Sequence, residues 1–161
     1  RHLLASNEAA YVRVGRNAVP DIYTEKDSFT PGKANVLRKG KDLAIIATGE
    51  TVYHALMAAE ELLKKGISST VLDMHTIKPL DTEAIIDAAK TTGHIITVEE
   101  HSVFGGLGAA VAEVVCQHAP AKMKILGIPD ENAIHGKPLE IFEHYGLTVE
   151  GIVREALEII K

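Results

Sequence analysis

The chain has 161 residues, of which 46% are hydrophobic, 24% are charged and 4% are aromatic, and its formal net charge is −5. The length suits one domain, or one domain with a piece of another. The acidic balance leaves no basic footprint for nucleic acid, and no apolar run reaches the ~18–20 residues that a membrane-spanning helix needs. We therefore expect a globular protein that binds neither nucleic acid nor membrane.

The first thirty residues differ in pattern from the rest of the chain. Residues 1–10 are typical of the end of a helix, and Val12–Val14 is predicted to be a short strand that carries an arginine. Two prolines, a glycine and mixed charge give residues 20–33 the composition of a linker. This predicts a domain boundary, with residues 1–30 ending one domain and residues 31–161 forming another.

From Asn35 onward strands and helices alternate, which predicts a parallel sheet with right-handed crossovers. The predicted strands are 35–40, 43–48, 69–74, 94–100 and 122–128. The predicted helices are 51–66, 82–93, 106–119, 137–146 and 148–160. The first connection is too short for a crossover, so the first strand should be antiparallel to its successor if the two pair. The expected fold is a three-layer α/β/α sandwich with a mixed, mostly parallel sheet of about five strands, the first one antiparallel.

Local signals refine the helices. The apolar stripe of the first long helix is predicted at Val52, Leu56, Ala59 and Leu63. Asp81 and Thr148 stand where side chains cap helix N-termini. The single cysteine, Cys116, lies in the very apolar helix 106–119 and is predicted to be a small buried hydrophobe. One thiol agrees with a reducing, cytoplasmic location, and a helix that is apolar nearly all round predicts self-association.

Polar side chains collect where the parallel strands end, which is where open α/β sheets bind ligands. They are Asp73, His75, Lys78, Glu99, Glu100, His101 and Ser102. A hydrolase could use Ser102 with His75 or His101 and Asp73, but the serine is not on a Gly-x-Ser-x-Gly elbow. His75, Glu99 and His101 could hold a metal, but no typical ligand spacing is present. We favour pairing among these groups or with a partner chain, and predict no catalytic and no metal-binding residue.

The glycine-rich stretch Gly105–Gly108 opens a predicted helix. Free N–H groups at a helix start attract anions. The stretch lacks the Lys-Ser/Thr of a P-loop and the spacing of a dinucleotide fingerprint. Close packing of the helix on the sheet is the favoured interpretation, and an anion site is the alternative.

Three long segments resemble the carboxyl-terminal part of transketolase. They are residues 40–81, 95–115 and 135–157, and their most specific motifs are Thr-x-Lys-Pro-Leu-Asp and Val-Glu-Glu-His followed by Gly-Gly-Leu-Gly. Deoxyxylulose-phosphate synthase and the β subunits of 2-oxo-acid dehydrogenases share this domain. The stretches "DMHTIKPLD" and "RNAVP" favour transketolase itself, including its two-chain versions.

The resemblance also gives the early arginines a role. The stretch "YVRVGRNAVP" is similar to the last strand of the pyrimidine-binding domain of transketolase, in which an arginine binds the phosphate of the sugar substrate. Arg16 matches that position, and Arg13 is its nearest rival. Either guanidinium could give a phosphate two charge-assisted hydrogen bonds.

The family's diphosphate and magnesium motif, Gly-Asp-Gly followed by Asn, does not occur in this sequence. The resemblance therefore implies a piece of an enzyme that holds neither thiamine diphosphate nor Mg²⁺ by itself. The whole enzyme would transfer a two-carbon ketol unit between sugar phosphates of the pentose phosphate pathway, as a cytoplasmic homodimer. The remaining transketolase domains or subunit would be the partners of this dimer-supporting chain. The alternative is a non-catalytic regulatory or assembly module.

Overall fold

A computed structural model describes residues 2–15, 17–132 and 134–161. A five-stranded sheet lies between helices on its two faces. The strands are β1 (Asn35–Arg38), β2 (Leu43–Ala47), β3 (Ser69–Asp73), β4 (His94–Ser102) and β5 (Lys122–Ile128). The helices are α1 (His2–Ala5), α2 (Thr51–Lys64), α3 (Thr82–Thr92), α4 (Leu107–His118), α5 (Pro138–Tyr145) and α6 (Val149–Ile159). None of these helices is long and apolar enough to cross a membrane.

The strands lie in the order β1-β3-β2-β4-β5, and all neighbours are parallel except β1 and β3. The predicted sandwich with an antiparallel first strand is confirmed. The first strand pairs with β3 and not with its successor, because the connection crosses the start of β3. There the backbone N–H groups of Lys41 and Asp42 donate to the Ser68 carbonyl oxygen. Gly40 makes this crossing possible, since a Cβ at that position would collide with the Ser68–Ser69 backbone.

The two faces of β2 divide the hydrophobic core. Leu43, Ile45 and Ala47 pack toward α2 and α6, whereas Ala44 and Ile46 pack toward α3 and α4. All five side chains are fully buried. A strand covered on both faces is apolar at every position, as the uninterrupted run predicts.

The predicted caps are confirmed. The Asp81 carboxylate accepts a hydrogen bond from the backbone N–H of Ala84 at 3.2 Å, at the start of α3. The Thr148 hydroxyl accepts one from the N–H of Gly151 at 3.4 Å, at the start of α6. Each cap satisfies a donor that the first turn of a helix leaves without an intrahelical partner.

The predicted apolar stripe of α2 is wrong at its end. Val52 and Ala59 are buried as expected, but Leu63 is 49% exposed and Leu62 is fully buried in its place. The buried side of α2 also includes Ala55, because α2 lies between the sheet and α6 and its contact stripe follows the 3.6-residue period toward both.

The prediction that Cys116 is buried is also wrong, since its side chain is exposed. The buried side of α4 consists of Leu107, Gly108, Val111, Val114 and Val115. Because α4 packs on the sheet and α3 from one side only, the opposite side of this apolar helix faces outward. The predicted self-association through α4 stays a prediction.

The structure does not contain the strand predicted at Val12–Val14. These residues are irregular, and Val12 and Val14 are 59% and 81% exposed. Branched residues favour a strand only when a neighbouring strand completes the hydrogen-bond ladder. Within the described residues no strand pairs with this segment.

The paired leucines of α2 give a test of the core. We expect Leu62→Ala to lower the free energy of unfolding by about 2–5 kcal/mol, because it removes buried methyl groups and leaves a cavity. Leu63→Ala, one position along, should change it by less than about 0.5 kcal/mol. Urea unfolding followed by circular dichroism measures both, and equal losses would contradict the observed helix rotation.

Candidate functional site

The arginine segment comprises residues 11–20 and contacts the carboxyl edge of the sheet through Arg13. Arg13 Nη1 donates to Glu100 Oε1 at 2.6 Å, and Nη2 donates to the Glu100 carbonyl oxygen at 3.2 Å. The side chain of Glu100 is only 8% exposed, while that of Arg13 is 46% exposed. The hydrogen bond to Glu100 raises the pKa of Arg13 further above its ordinary value. The guanidinium of Arg13 is thus already engaged by a carboxylate.

A second carboxylate contacts the same segment. Glu50 precedes the first residue of α2, and its Oε2 accepts a hydrogen bond from Asn17 Nδ2 at 2.9 Å. A Cβ on Gly15 would lie 2.6 Å from Glu50 Oε1, so the backbone approaches this carboxylate closely. Arg16, the predicted phosphate ligand, lies outside the described residues, and its role stays a prediction.

The start of α4 holds a buried carboxylate from the chain itself. Glu99 is 1% exposed, and its two oxygens accept hydrogen bonds from the backbone N–H groups of Leu107 and Gly108, both at 2.7 Å. A negative charge is favourable there, because free N–H groups and the helix dipole converge. Glu99 thus occupies two of the donors that an external anion at the glycine-rich stretch would use, which favours the packing interpretation. A Cβ on Gly106 would collide with this carboxylate.

At the end of β3, a carboxylate is covered by the predicted linker. The Tyr23 hydroxyl donates to Asp73 Oδ2 at 2.5 Å and lies 3.4 Å from Asn35 Nδ2. Burial raises the pKa of Asp73, and the bond from Tyr23 partly opposes that shift. Burial, followed by the bond to Asp73, raises the pKa of Tyr23 well above its ordinary value. Asp73 therefore binds the predicted linker through Tyr23, and its hydrogen bond among the described side chains goes to that hydroxyl.

The geometry does not support the hydrolase or the metal interpretation. His75 Nδ1 lies 2.9 Å from the Thr76 hydroxyl, and the Ser102 hydroxyl accepts from the Phe104 N–H at 3.2 Å. His101 Nδ1 lies 2.9 Å from the Ser102 carbonyl oxygen rather than its hydroxyl. Across the described ranges, no three His, Cys, Asp or Glu side chains are grouped to hold a metal ion.

Of the side chains predicted to meet at this edge, the structure brings Glu99 and Glu100 into specific contacts but leaves Lys78 exposed. Sequence reasoning missed Glu50, Asn17 and Tyr23 as their neighbours. Glu50 had a usable signal, because it follows β2 at the same edge. Asn17 and Tyr23 had none, because their partners lie 33 and 50 residues away along the chain.

A small cavity of about 190 Å³ lies beside the arginine segment. Asn17, Pro20, Tyr53, His54 and Phe142 are among its lining residues. Burial lowers the pKa of His54, which favours a neutral imidazole there. The volume is below the ~300–1,000 Å³ typical of pockets for small-molecule ligands, so the cavity is a packing gap behind the segment.

The described residues thus form an α/β/α domain whose carboxyl edge binds the preceding segment, and this fold is that of the C-terminal domain of transketolases. The chain belongs to that family: the profile "Transketolase, C-terminal domain" matches residues 32–152. The family predicted from the sequence motifs is confirmed.

Individual relatives refine this placement. The chain is 59% identical over 155 residues to a subunit of the apulose-4-phosphate transketolase of Phocaeicola vulgatus, covering 96% of this chain and 49% of that protein. It is 43% identical over 157 residues to a subunit of the 6-deoxy-6-sulfo-D-fructose transketolase of Clostridium sp., covering 98% of this chain and 49% of that one. The chain therefore spans about half the length of these curated relatives.

Solved structures agree with the fold. A structure described as "Split gene transketolase, inactive beta4 tetramer" superposes with a TM-score of 0.86 at 39% identity, over 91% of this chain and 48% of that one. Transketolase from Campylobacter jejuni superposes with a TM-score of 0.61 at 19% identity, over 90% of this chain and 20% of that one, which shows the shared fold alone.

The contribution of the Glu99 carboxylate to the free energy of unfolding can be measured. Glu99→Ala removes two charge-assisted hydrogen bonds and leaves two N–H donors without their acceptor, so we expect a loss of about 3 kcal/mol in unfolding free energy. Glu113→Ala, on the exposed side of the same helix, is the matched control and should cost less than about 0.5 kcal/mol. Urea unfolding measures both. A loss at Glu99 no larger than at Glu113 would show that the helix start does not depend on this carboxylate.

Proposed function

We propose that this chain is the C-terminal part of one subunit of a two-chain transketolase. With the rest of that enzyme it would transfer a two-carbon ketol unit from a ketose phosphate to an aldose phosphate. The observation that carries the proposal is the 59% identity, over 96% of the chain, to a protein described as a transketolase subunit. The likeness to a split-gene transketolase structure supports the two-chain form.

The two alternatives have less support. Relatives described as 1-deoxy-D-xylulose-5-phosphate synthase are 38% to 40% identical, compared with 43% and 59% for the two transketolase subunits described above. A regulatory or assembly module with an anion at the glycine-rich stretch is less well supported, because Glu99 occupies the N–H donors of Leu107 and Gly108.

The substrate class in this proposal is a sugar with a terminal anion, bound by Arg16. Arg13, its rival, is engaged by Glu100 and is less available to a phosphate. The names of the two relatives carry a phosphate and a sulfonate, and a guanidinium can bind either anion. Apulose 4-phosphate is the first substrate to test, and ketopentose phosphates of the pentose phosphate pathway are the second.

The described residues do not fit a site for thiamine diphosphate and Mg²⁺. The N–H donors at the start of α4, which could cradle a diphosphate, are taken by Glu99, whose negative charge would repel it. The proposal therefore assigns the cofactor, which supplies the carbanion chemistry, to the rest of the enzyme. The contribution of this chain would be a rigid frame for the substrate-binding segment. Homodimer formation and a cytoplasmic location stay predictions.

A first test concerns the cofactor. Titration of the chain with thiamine diphosphate and Mg²⁺ in a calorimeter should give no heat beyond dilution, because Glu99 occupies the N–H donors that could cradle the diphosphate at the start of α4. Glu99→Gln removes the negative charge that would repel the diphosphate, and it is the matched control for that repulsion. Micromolar binding by the unmodified chain would contradict the assignment of the cofactor to the rest of the enzyme.

A second test concerns activity and Arg16. The enzyme reassembled with the rest of its subunit and its partner chain should transfer ketol units from sugar phosphates. Arg16→Ala should lower kcat/KM for phosphorylated substrates by roughly tenfold to a thousandfold, because hydrogen bonds to a charged group are worth ~1.5–3 kcal/mol each. Short hydroxyaldehydes without a phosphate should be spared.

Arg13→Ala is the matched control for Arg16. It should reduce the use of phosphorylated substrates less than Arg16→Ala does, because its guanidinium is bound to Glu100. Two outcomes would show that a group other than Arg16 binds the phosphate. One is a larger fall in kcat/KM from Arg13→Ala than from Arg16→Ala, and the other is an equal fall for both substrate classes from Arg16→Ala. An inactive reassembled enzyme would contradict the proposed function itself.

A further inference from the structure

We propose that Glu100, together with Glu50, positions the segment that carries Arg16 and so sets the affinity of the enzyme for the anionic end of its substrate. This inference rests on the proposed function and deepens it. It assigns to two carboxylates of the C-terminal domain a task at a substrate site that they do not themselves contact.

Residues on both sides of Arg16 in the sequence bind the two carboxylates. Three residues before it, the guanidinium of Arg13 binds both the carboxylate and the carbonyl oxygen of Glu100. One residue after it, Asn17 donates to Glu50 at 2.9 Å. Between them, Gly15 approaches Glu50 so closely that a Cβ would lie 2.6 Å from Oε1. Without regular secondary structure, this part of the chain depends on such contacts for its position.

The surrounding structure holds the side chain of Glu100 in one position. It lies on β4 in the sheet, and only 8% of its side chain is exposed. Gly49, with a positive φ of 61°, lies against it, and a Cβ there would come within 2.9 Å of Oε2. A longer side chain at position 49 would displace the carboxylate. The orientation of Glu100 is therefore set by the strand and by the turn after β2.

The burial of Glu100 is costly, which argues for a role beyond stability. Its Oε2 is buried and has no hydrogen-bond partner among the described residues. A buried carboxylate with an incomplete set of partners generally stabilises a fold less than an apolar side chain of similar size would. A positioning task explains why a carboxylate stands there, because a carboxylate gives a guanidinium a shorter and stronger hydrogen bond than a neutral acceptor does.

The negative charge of Glu100 and its proposed positioning role predict opposite effects of Glu100→Gln on the binding of a phosphorylated substrate. Two carboxylates next to a phosphate site repel the phosphate. If their charge were the main influence, Glu100→Gln would strengthen the binding of a phosphorylated substrate. If position is the main influence, the same substitution weakens it, because the Arg13 tether is loosened.

The experiment is steady-state kinetics on the reassembled enzyme with apulose 4-phosphate and with a short hydroxyaldehyde that has no phosphate. Glu100→Gln should raise KM for the sugar phosphate by roughly three- to tenfold while kcat changes by less than about twofold, since a displaced binding group loses affinity first. The values for the hydroxyaldehyde should not change. Glu83→Gln is the matched control, because Glu83 also pairs with the incoming chain, at Lys33 and 2.9 Å, but away from the arginine segment.

Double variants show whether Glu100 acts through Arg16. In an Arg16→Ala background, Glu100→Gln should add nothing to the rise in KM, because the group that it positions is gone. Arg13→Gln removes the same ion pair by changing its half-exposed partner. It should reproduce the rise in KM even if Glu100→Gln impairs folding. The combination of Arg13→Gln with Glu100→Gln should equal the larger single effect.

An unchanged or lowered KM in Glu100→Gln would overturn the positioning role, and where Glu100→Gln impairs folding, an unchanged or lowered KM in Arg13→Gln would do so. So would equal losses on both substrate classes, which indicate general damage, or additive effects with Arg16→Ala. An unmodified enzyme without transfer activity would overturn the proposed function, and this role with it. An active enzyme whose KM is insensitive to Glu100 would overturn the positioning role alone.

Discussion

The alternation of side chains along β4 is the constraint on which the carboxyl edge of this domain depends. Successive residues of a strand point to opposite faces. Glu99 therefore points to the face covered by α4 and binds the N-terminus of that helix, while Glu100 points to the face where α2 begins and binds Arg13. Two adjacent carboxylates thus perform two separate tasks. One anchors a helix of the domain, and the other anchors a segment that arrives from outside its core.

This division explains why the edge carries many polar groups. Glu99 satisfies the donors that an external phosphate would need, and Asp73 binds the Tyr23 hydroxyl of the linker. Glu99, Glu100 and Asp73, three of the side chains that the sequence places at this edge, hold neighbouring parts of the chain in place.

The tethers of the arginine segment are individually weak. Arg13 is half-exposed, and an ion pair in that position contributes little to stability after solvent screening. In the proposed positioning role their importance lies in geometry, since a binding group displaced by about 1 Å can lose much of its effect. In that role their loss is expected to change KM for one class of substrate before it affects folding.

The sequence by itself determined the order of strands and helices, the antiparallel first strand and the caps at Asp81 and Thr148, because these depend on the periodicity and chemistry of neighbouring residues. Its motifs also predicted the family. Only the tertiary structure decided that β1 pairs with β3, that Val12–Val14 forms no strand, that Leu62 and not Leu63 is buried, and that Glu99 and Glu100 bind different partners. Each of these depends on which distant residue comes within reach after the layers have packed. A contact such as Arg13 with Glu100, 87 residues apart, leaves no local trace in either segment.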